Sequence, residues 1–95
     1  MPKGYWIAHV TVTDPGQYKV YANAAPVAFK KYGAVILARG GAFQQMEGDG
    51  RPRNVVIEFP SLQAALDCYN SPEYQAAKAN RKTAGIAEIV LVEGV

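Results

Sequence analysis

Along Arg53-Asn54-Val55-Val56-Ile57-Glu58-Phe59 the side chains sort into two sets. Val55, Ile57 and Phe59 fall on one side, and Asn54, Val56 and Glu58 on the other. Successive side chains of a strand turn to opposite faces, so this segment reads as a strand with one apolar face and one partly polar face. Tyr5 to Val12 divides the same way, with Trp6, Ala8, Val10 and Val12 opposed to Tyr5, Ile7, His9 and Thr11. Ala34 to Arg39 and Ile86 to Glu93 read as two further strands. Gly40-Gly41 predicts a bulge or bend, and Ala42 to Glu47 a continuation of the strand beyond it. Gly48-Asp49-Gly50 predicts a turn, and so a hairpin into the Arg53–Phe59 strand.

Two stretches have helical spacing instead. Asp14-Pro15-Gly16-Gln17 supplies an N-cap, a proline suited to the first helical position and a residue able to complete a capping pair. Tyr18, Tyr21, Ala22, Ala25 and Phe29 then form the buried stripe, with a kink or restart expected at Pro26 and a stop at Gly33. Ser61 caps a second helical region with Leu62, Ala65, Leu66 and Tyr69 inward. Ser71-Pro72-Glu73-Tyr74 restarts the helix, carries Tyr74 and Ala77 inward and runs to about Lys82.

The order strand, helix, strand, strand, helix, strand is the split βαβ, or ferredoxin-like, pattern. It predicts an α+β sandwich: a four-stranded antiparallel sheet, first and third strands central, helices on one face. The helices should cover Trp6, Ala8 and Val10, then Ala34, Ile36 and Ala38, then Val55, Ile57 and Phe59, then Ala87, Ile89 and Leu91. The other face then holds Tyr5, Ile7, His9, Val35, Leu37, Arg39, Asn54, Val56, Glu58, Ile86, Glu88, Val90 and Val92. That face is too apolar to stand in water and too polar for a plain core. The simplest cover is the same face of a second copy, a two-fold homodimer.

Composition narrows the function classes. At 95 residues, 49% of them hydrophobic, residues 1–95 make one domain with one modest core. A net charge of +2 with no dense basic run gives little support to nucleic-acid or membrane-surface binding. The third strand also lacks the stacking aromatics of an RNA-recognition domain. Cys68 is the only cysteine, so no intrachain disulfide, iron–sulfur cluster or Cys-x-x-Cys metal site can form. With a single histidine, a zinc site is not expected. No apolar run reaches membrane-spanning length, and the chain enters a strand at once, with no room for a signal peptide. The expectation is a cytoplasmic protein.

Gly4-Tyr5-Trp6-Ile7-Ala8, Val12-Thr13-Asp14-Pro15, Lys31-Tyr32-Gly33, Arg39-Gly40-Gly41, Glu47-Gly48, Val56-Ile57-Glu58-Phe59-Pro60-Ser61 and Tyr69-Asn70-Ser71-Pro72-Glu73-Tyr74 carry a family resemblance. Over essentially its whole length the chain resembles the short bacterial proteins grouped as domain of unknown function thirteen-thirty. The Ile57–Ser61 and Ser71–Tyr74 pieces are its most specific parts. The resemblance implies a ferredoxin-like subunit of the dimeric α+β barrel superfamily, whose members include cofactor-free monooxygenases, muconolactone isomerase and haem-dependent chlorite dismutases. It brings no established activity and no cofactor.

Three residues are candidates for chemistry. His9 and Glu58 lie on neighbouring strands and share a face, the arrangement of a general base with its orienting carboxylate. Arg39 could hold a carboxylate or stabilise an enolate. The same three residues read equally as paired groups of a dimer interface. Tyr18, Tyr21, Tyr69 and Tyr74 read as core, with a tyrosine-lined pocket as the alternative. Cys68 reads as inert packing. Two function classes follow: a small-molecule binder without catalysis, or a cofactor-independent monooxygenase- or isomerase-like enzyme acting on a small aromatic or oxo-acid compound. A cavity of roughly 300 Å³ beside His9, or between helix and sheet, favours the second.

Overall fold

The computed structural model describes residues 2–95. Strands β1 (Gly4–Val12), β2 (Val35–Arg39), β3 (Arg53–Phe59) and β4 (Gly85–Glu93) form one sheet in the order β2-β3-β1-β4. All three pairings are antiparallel. Helices α1 (Pro15–Lys31), α2 (Leu62–Tyr69) and α3 (Pro72–Arg81) complete a ferredoxin-like α+β fold.

Local chemistry sets the helix ends. The Asp14 carboxylate accepts the Gln17 amide, and the Ser61 hydroxyl accepts that of Ala64. Ser71 is buried; its Oγ accepts the Tyr74 amide at 3.1 Å and donates to the Cys68 carbonyl at 2.6 Å. That hydroxyl closes one helix and opens the next, which explains the sharp α2–α3 corner. Helix α1 passes through Pro26 without the expected restart. Ala42 to Glu47 does not continue β2: residues 40–52 form a long exposed connection, with Gly48 and Gly50 at positive φ.

The helix side of the sheet is the apolar one expected. Trp6, Ala8, Val10, Ile57 and Phe59 are each at most 5% exposed. Trp6 is the hub: its ring lies 4.8 Å from Tyr74, 5.2 Å from Phe29 and 5.6 Å from Tyr69. On α2 the inward set differs from expectation. Cys68 is buried beside Ala65, whereas Leu66 is exposed. Cys68 belongs to the same buried core as Trp6, Phe59 and Tyr74.

Strand parity fails at one place. Ile36 pairs with Ile57, but Ala38 pairs with Val56 and Arg39 with Val55. Leu37 is thus an extra residue, and the bulge sits before Gly40-Gly41 rather than at it. An extra residue turns every later side chain to the opposite face. Ala38 therefore joins the outer face, and Arg39 turns to the side of Val55, under the helices, contrary to the alternation read from sequence.

Replacing Ser71 with alanine removes both bonds of the corner. We expect a loss of about 1–2 kcal/mol in urea unfolding with an unchanged m-value. A variant as stable as the native chain would show that the corner does not depend on this hydroxyl.

Candidate functional site

A cavity of about 340 Å³ lies between α1 and the inner face of the sheet. Helix α1 packs chiefly against α3 and stands farther from the strands than α2 does. The residues between α1 and the strands are small: Ala8 and Val10 on β1, Ala22 and Ala25 on α1, Ala87 on β4. They do not fill the gap. Trp6, Phe29 and Ile57 close one end, where the aromatic cluster begins.

The polar groups around this space are tyrosines and cations. Tyr18 and Tyr21 line it, as do Lys30, Arg39, Arg53 and Arg81. The Arg53 guanidinium carbon lies 5.4 Å from the Tyr18 ring centre, and that of Arg81 lies 5.3 Å from the Tyr21 ring centre. Such contacts are worth about 0.5–2 kcal/mol each and partly offset the burial of the cations. Gly40, which lies against the Arg53 side chain, has φ +67° and donates its amide to the Asn54 carbonyl. A Cβ at Gly40 would lie 2.6 Å from Arg53 Nη1, which the mobile end of that side chain can relieve, so it is the positive φ that calls for glycine.

Tyr21 and Tyr74 hydroxyls meet at 2.9 Å in the core. Burial, then the neighbouring Tyr74 hydroxyl, raises the Tyr21 pKa far above that of free tyrosine; burial also raises that of Tyr74. Both are neutral hydrogen-bonding groups at ordinary pH. Burial works against the Arg81 cation, but the adjacent Tyr74 and Tyr21 outweigh it and hold its pKa above the usual arginine value. The arrangement can therefore hold and stabilise negative charge. Among its described lining residues there is no histidine or carboxylate to act as a general base.

The residues named from sequence are only partly brought together. His9 and Glu58 do share the outer face, but the register sets His9 opposite Asn54 and Glu58 opposite Tyr5. Four residues of strand separate the two positions, about 13 Å. His9 Nδ1 lies 2.6 Å from Asn54 Oδ1, and the Tyr5 hydroxyl donates to Glu58 at 3.4 Å. On its other side His9 faces Glu88, whose carboxylate pairs with Arg51 at 2.6 Å. Arg39 is separated from both by the sheet and borders the cavity. Arg53 and Arg81 were missed from sequence, although their signals were present. Arg53 has the parity of Val55, Ile57 and Phe59, and Arg81 continues the Tyr74, Ala77 stripe at helical spacing. Among the described residues no group of three or more metal-ligating side chains converges, and no helix is long and apolar enough to cross a membrane.

With this geometry established, comparison with known proteins places the chain. The family model described as "Domain of unknown function (DUF1330)" matches residues 3–95. The chain belongs to the DUF1330 family. No curated protein matches this DUF1330 chain in sequence. Its fold is similar to that of a protein of unknown function from Rhodopseudomonas palustris, with 17% identity over 99% of this chain and 83% of that one, and a TM-score of 0.76. SnoaB, a cofactor-independent oxygenase from Streptomyces nogalater, is similar with 12% identity over 97% of this chain and 92% of that one, TM-score 0.67. A dimeric ferredoxin-like protein of unknown function from Thermobifida fusca shares 17% identity over 97% and 91%, TM-score 0.63. At these identities the likeness is one of fold.

Cys68 supplies a pH prediction for the DUF1330 chain. Burial, with a smaller contribution from Glu73, pushes its thiol up to about 12 from an ordinary 9.0. Between those values the unfolded chain releases a proton that the folded chain keeps. Stability therefore falls as pH rises above about 9, in the same direction as the raised Tyr21 and Tyr74 hydroxyls. Native protein at pH 8 should resist a thiol reagent that reacts at once after denaturation. Prompt labelling of native Cys68 would contradict this environment.

Proposed function

We propose that this chain binds a small, largely apolar organic molecule in the cavity between α1 and the sheet, as a homodimer closed through the outer sheet faces. The cavity carries the reading. Its volume lies in the range of small-ligand pockets, roughly 300–1,000 Å³, and its walls are apolar with a few convergent polar groups.

The dimer rests on the outer face. Val35, Leu37, Ile86, Val90 and Val92 are each 44–53% exposed there. An apolar strip along a whole sheet is the surface expected of an interface between copies. The Thermobifida fusca protein of the same fold is dimeric, which favours the same assembly here. In such a dimer His9, Asn54 and Glu58 would lie between the subunits.

A cofactor-independent oxygenase- or isomerase-like activity is the second reading. The size and position of the cavity favour it, as does the fold shared with SnoaB. In that reading Arg39 stabilises the anionic intermediate. His9 and Glu58 lie across the sheet from the cavity, so His9 could serve as a base only for a molecule held between subunits. The lack of a base among the described cavity residues is why binding is the preferred reading.

A thermal-shift screen with small aromatic compounds tests the cavity. A ligand present at a hundred times its Kd adds about 2.7 kcal/mol, enough to raise Tm by about 10–20 °C in a domain of this size. Ala22→Phe places a ring in the space and should abolish that shift while the variant keeps its fold. Equal shifts in the two proteins would move the ligand elsewhere. Sedimentation tests the assembly: the native chain should run as a dimer and Val90→Lys as a monomer. A monomeric native chain at micromolar concentration would remove the interface.

A further inference from the structure

The charges around the cavity are unbalanced. Lys30, Arg39, Arg53 and Arg81 line it, and no carboxylate does. Among the described residues the ion pairs are Lys31 with Glu73 and Arg51 with Glu88, and neither uses a cavity cation. Arg81 is only 8% exposed, and its Nε has no hydrogen-bond partner among the described residues. The Nε of half-buried Arg53 is in the same condition. Buried arginines are normally paired, because a cation taken out of water needs both a counter-charge and acceptors for its N–H groups. The Tyr18 and Tyr21 rings lend these guanidiniums attraction, and the Tyr21 and Tyr74 hydroxyls lie beside Arg81 as neutral acceptors, but none of these groups brings a negative charge. The described residues bring these guanidiniums no counter-charge.

The geometry points to an organic carboxylate as the ligand: an aromatic monoacid whose ring lies among Ala8, Ala22 and Ala25 and whose carboxylate is taken by Arg53 and Arg81, with Arg39 at the border. This rests on the cavity being the binding site and specifies what enters it. A guanidinium presents planar paired donors that match a carboxylate, and the apolar walls suit a ring rather than a hydrated polyanion. Arg53 and Arg81 are then specificity-determining residues that lie away from the His9 face.

Calorimetric titration with 2-naphthoate and with its neutral counterpart 2-naphthamide separates anion recognition from cavity binding. The native chain should bind the acid at least about tenfold more tightly than the amide, and the preference should shrink as salt is raised. Arg53→Gln and Arg81→Gln, each checked for native circular dichroism, should bring the acid down to within about threefold of the amide. Should both variants fail to fold, the acid-over-amide ratio and its salt dependence in the native chain still decide. Equal binding of acid and amide would overturn anion recognition and leave the cavity as a site for neutral molecules. Binding of neither would overturn the cavity reading, and this inference with it.

Discussion

The constraint that shapes this molecule is the uneven filling of the space between its two layers. Along β1 the inward residues are Trp6, Ala8 and Val10. At the Trp6 end, Phe29, Phe59, Tyr69 and Tyr74 crowd the indole and bring the helices down onto the sheet. At the Val10 end, the facing residues of α1 are alanines and tyrosines, and the layers do not close. Truncating or omitting side-chain volume in a rigid two-layer frame leaves a void when the frame cannot collapse. Here the aromatic cluster at one end and the contact of α1 with α3 keep the frame open. The cavity is thus a consequence of where the large residues sit.

The charge distribution follows the same division. The acidic and polar groups of the outer face are engaged with one another: Glu88 with Arg51, His9 with Asn54, Glu58 with Tyr5. The inner face holds arginines without acids. In the proposed reading, the interface and the ligand site lie on opposite faces of the sheet.

Much of this was legible in the sequence because its largest part is alternation. Parity in β1 and β3 gave the inner and outer sets correctly, and the caps at Asp14, Ser61 and Ser71 marked the helix starts. The register between β1 and β3 was not legible. Side-chain period fixes which face a residue takes, but its partner depends on how far the strands slide, so His9 and Glu58 shared a face without meeting. The bulge at Leu37 was hidden for a related reason. Leu37 is an ordinary strand residue, while the nearby Gly40-Gly41 carries the more familiar cue, so plain alternation puts Arg39 on the outer face and the bulge turns it to the inner one. The cavity stood in the sequence only as an alternative to packed core for Tyr18 and Tyr21, because a stripe of alanines and tyrosines looks the same whether it packs tightly or stands off. Family membership extends the fold and leaves the chemistry to the site itself.

If the space under α1, rather than the outer face, receives the ligand, a bound aromatic acid must touch the residues that line it. Intermolecular nuclear Overhauser contacts between such an acid and the protein's methyl groups test this directly. Contacts to the methyls of Ala8, Ala22 and Ala25 are the expected result. Contacts to Ile7, Val90 and Val92 in their place would put the molecule on the opposite side of the sheet and contradict it.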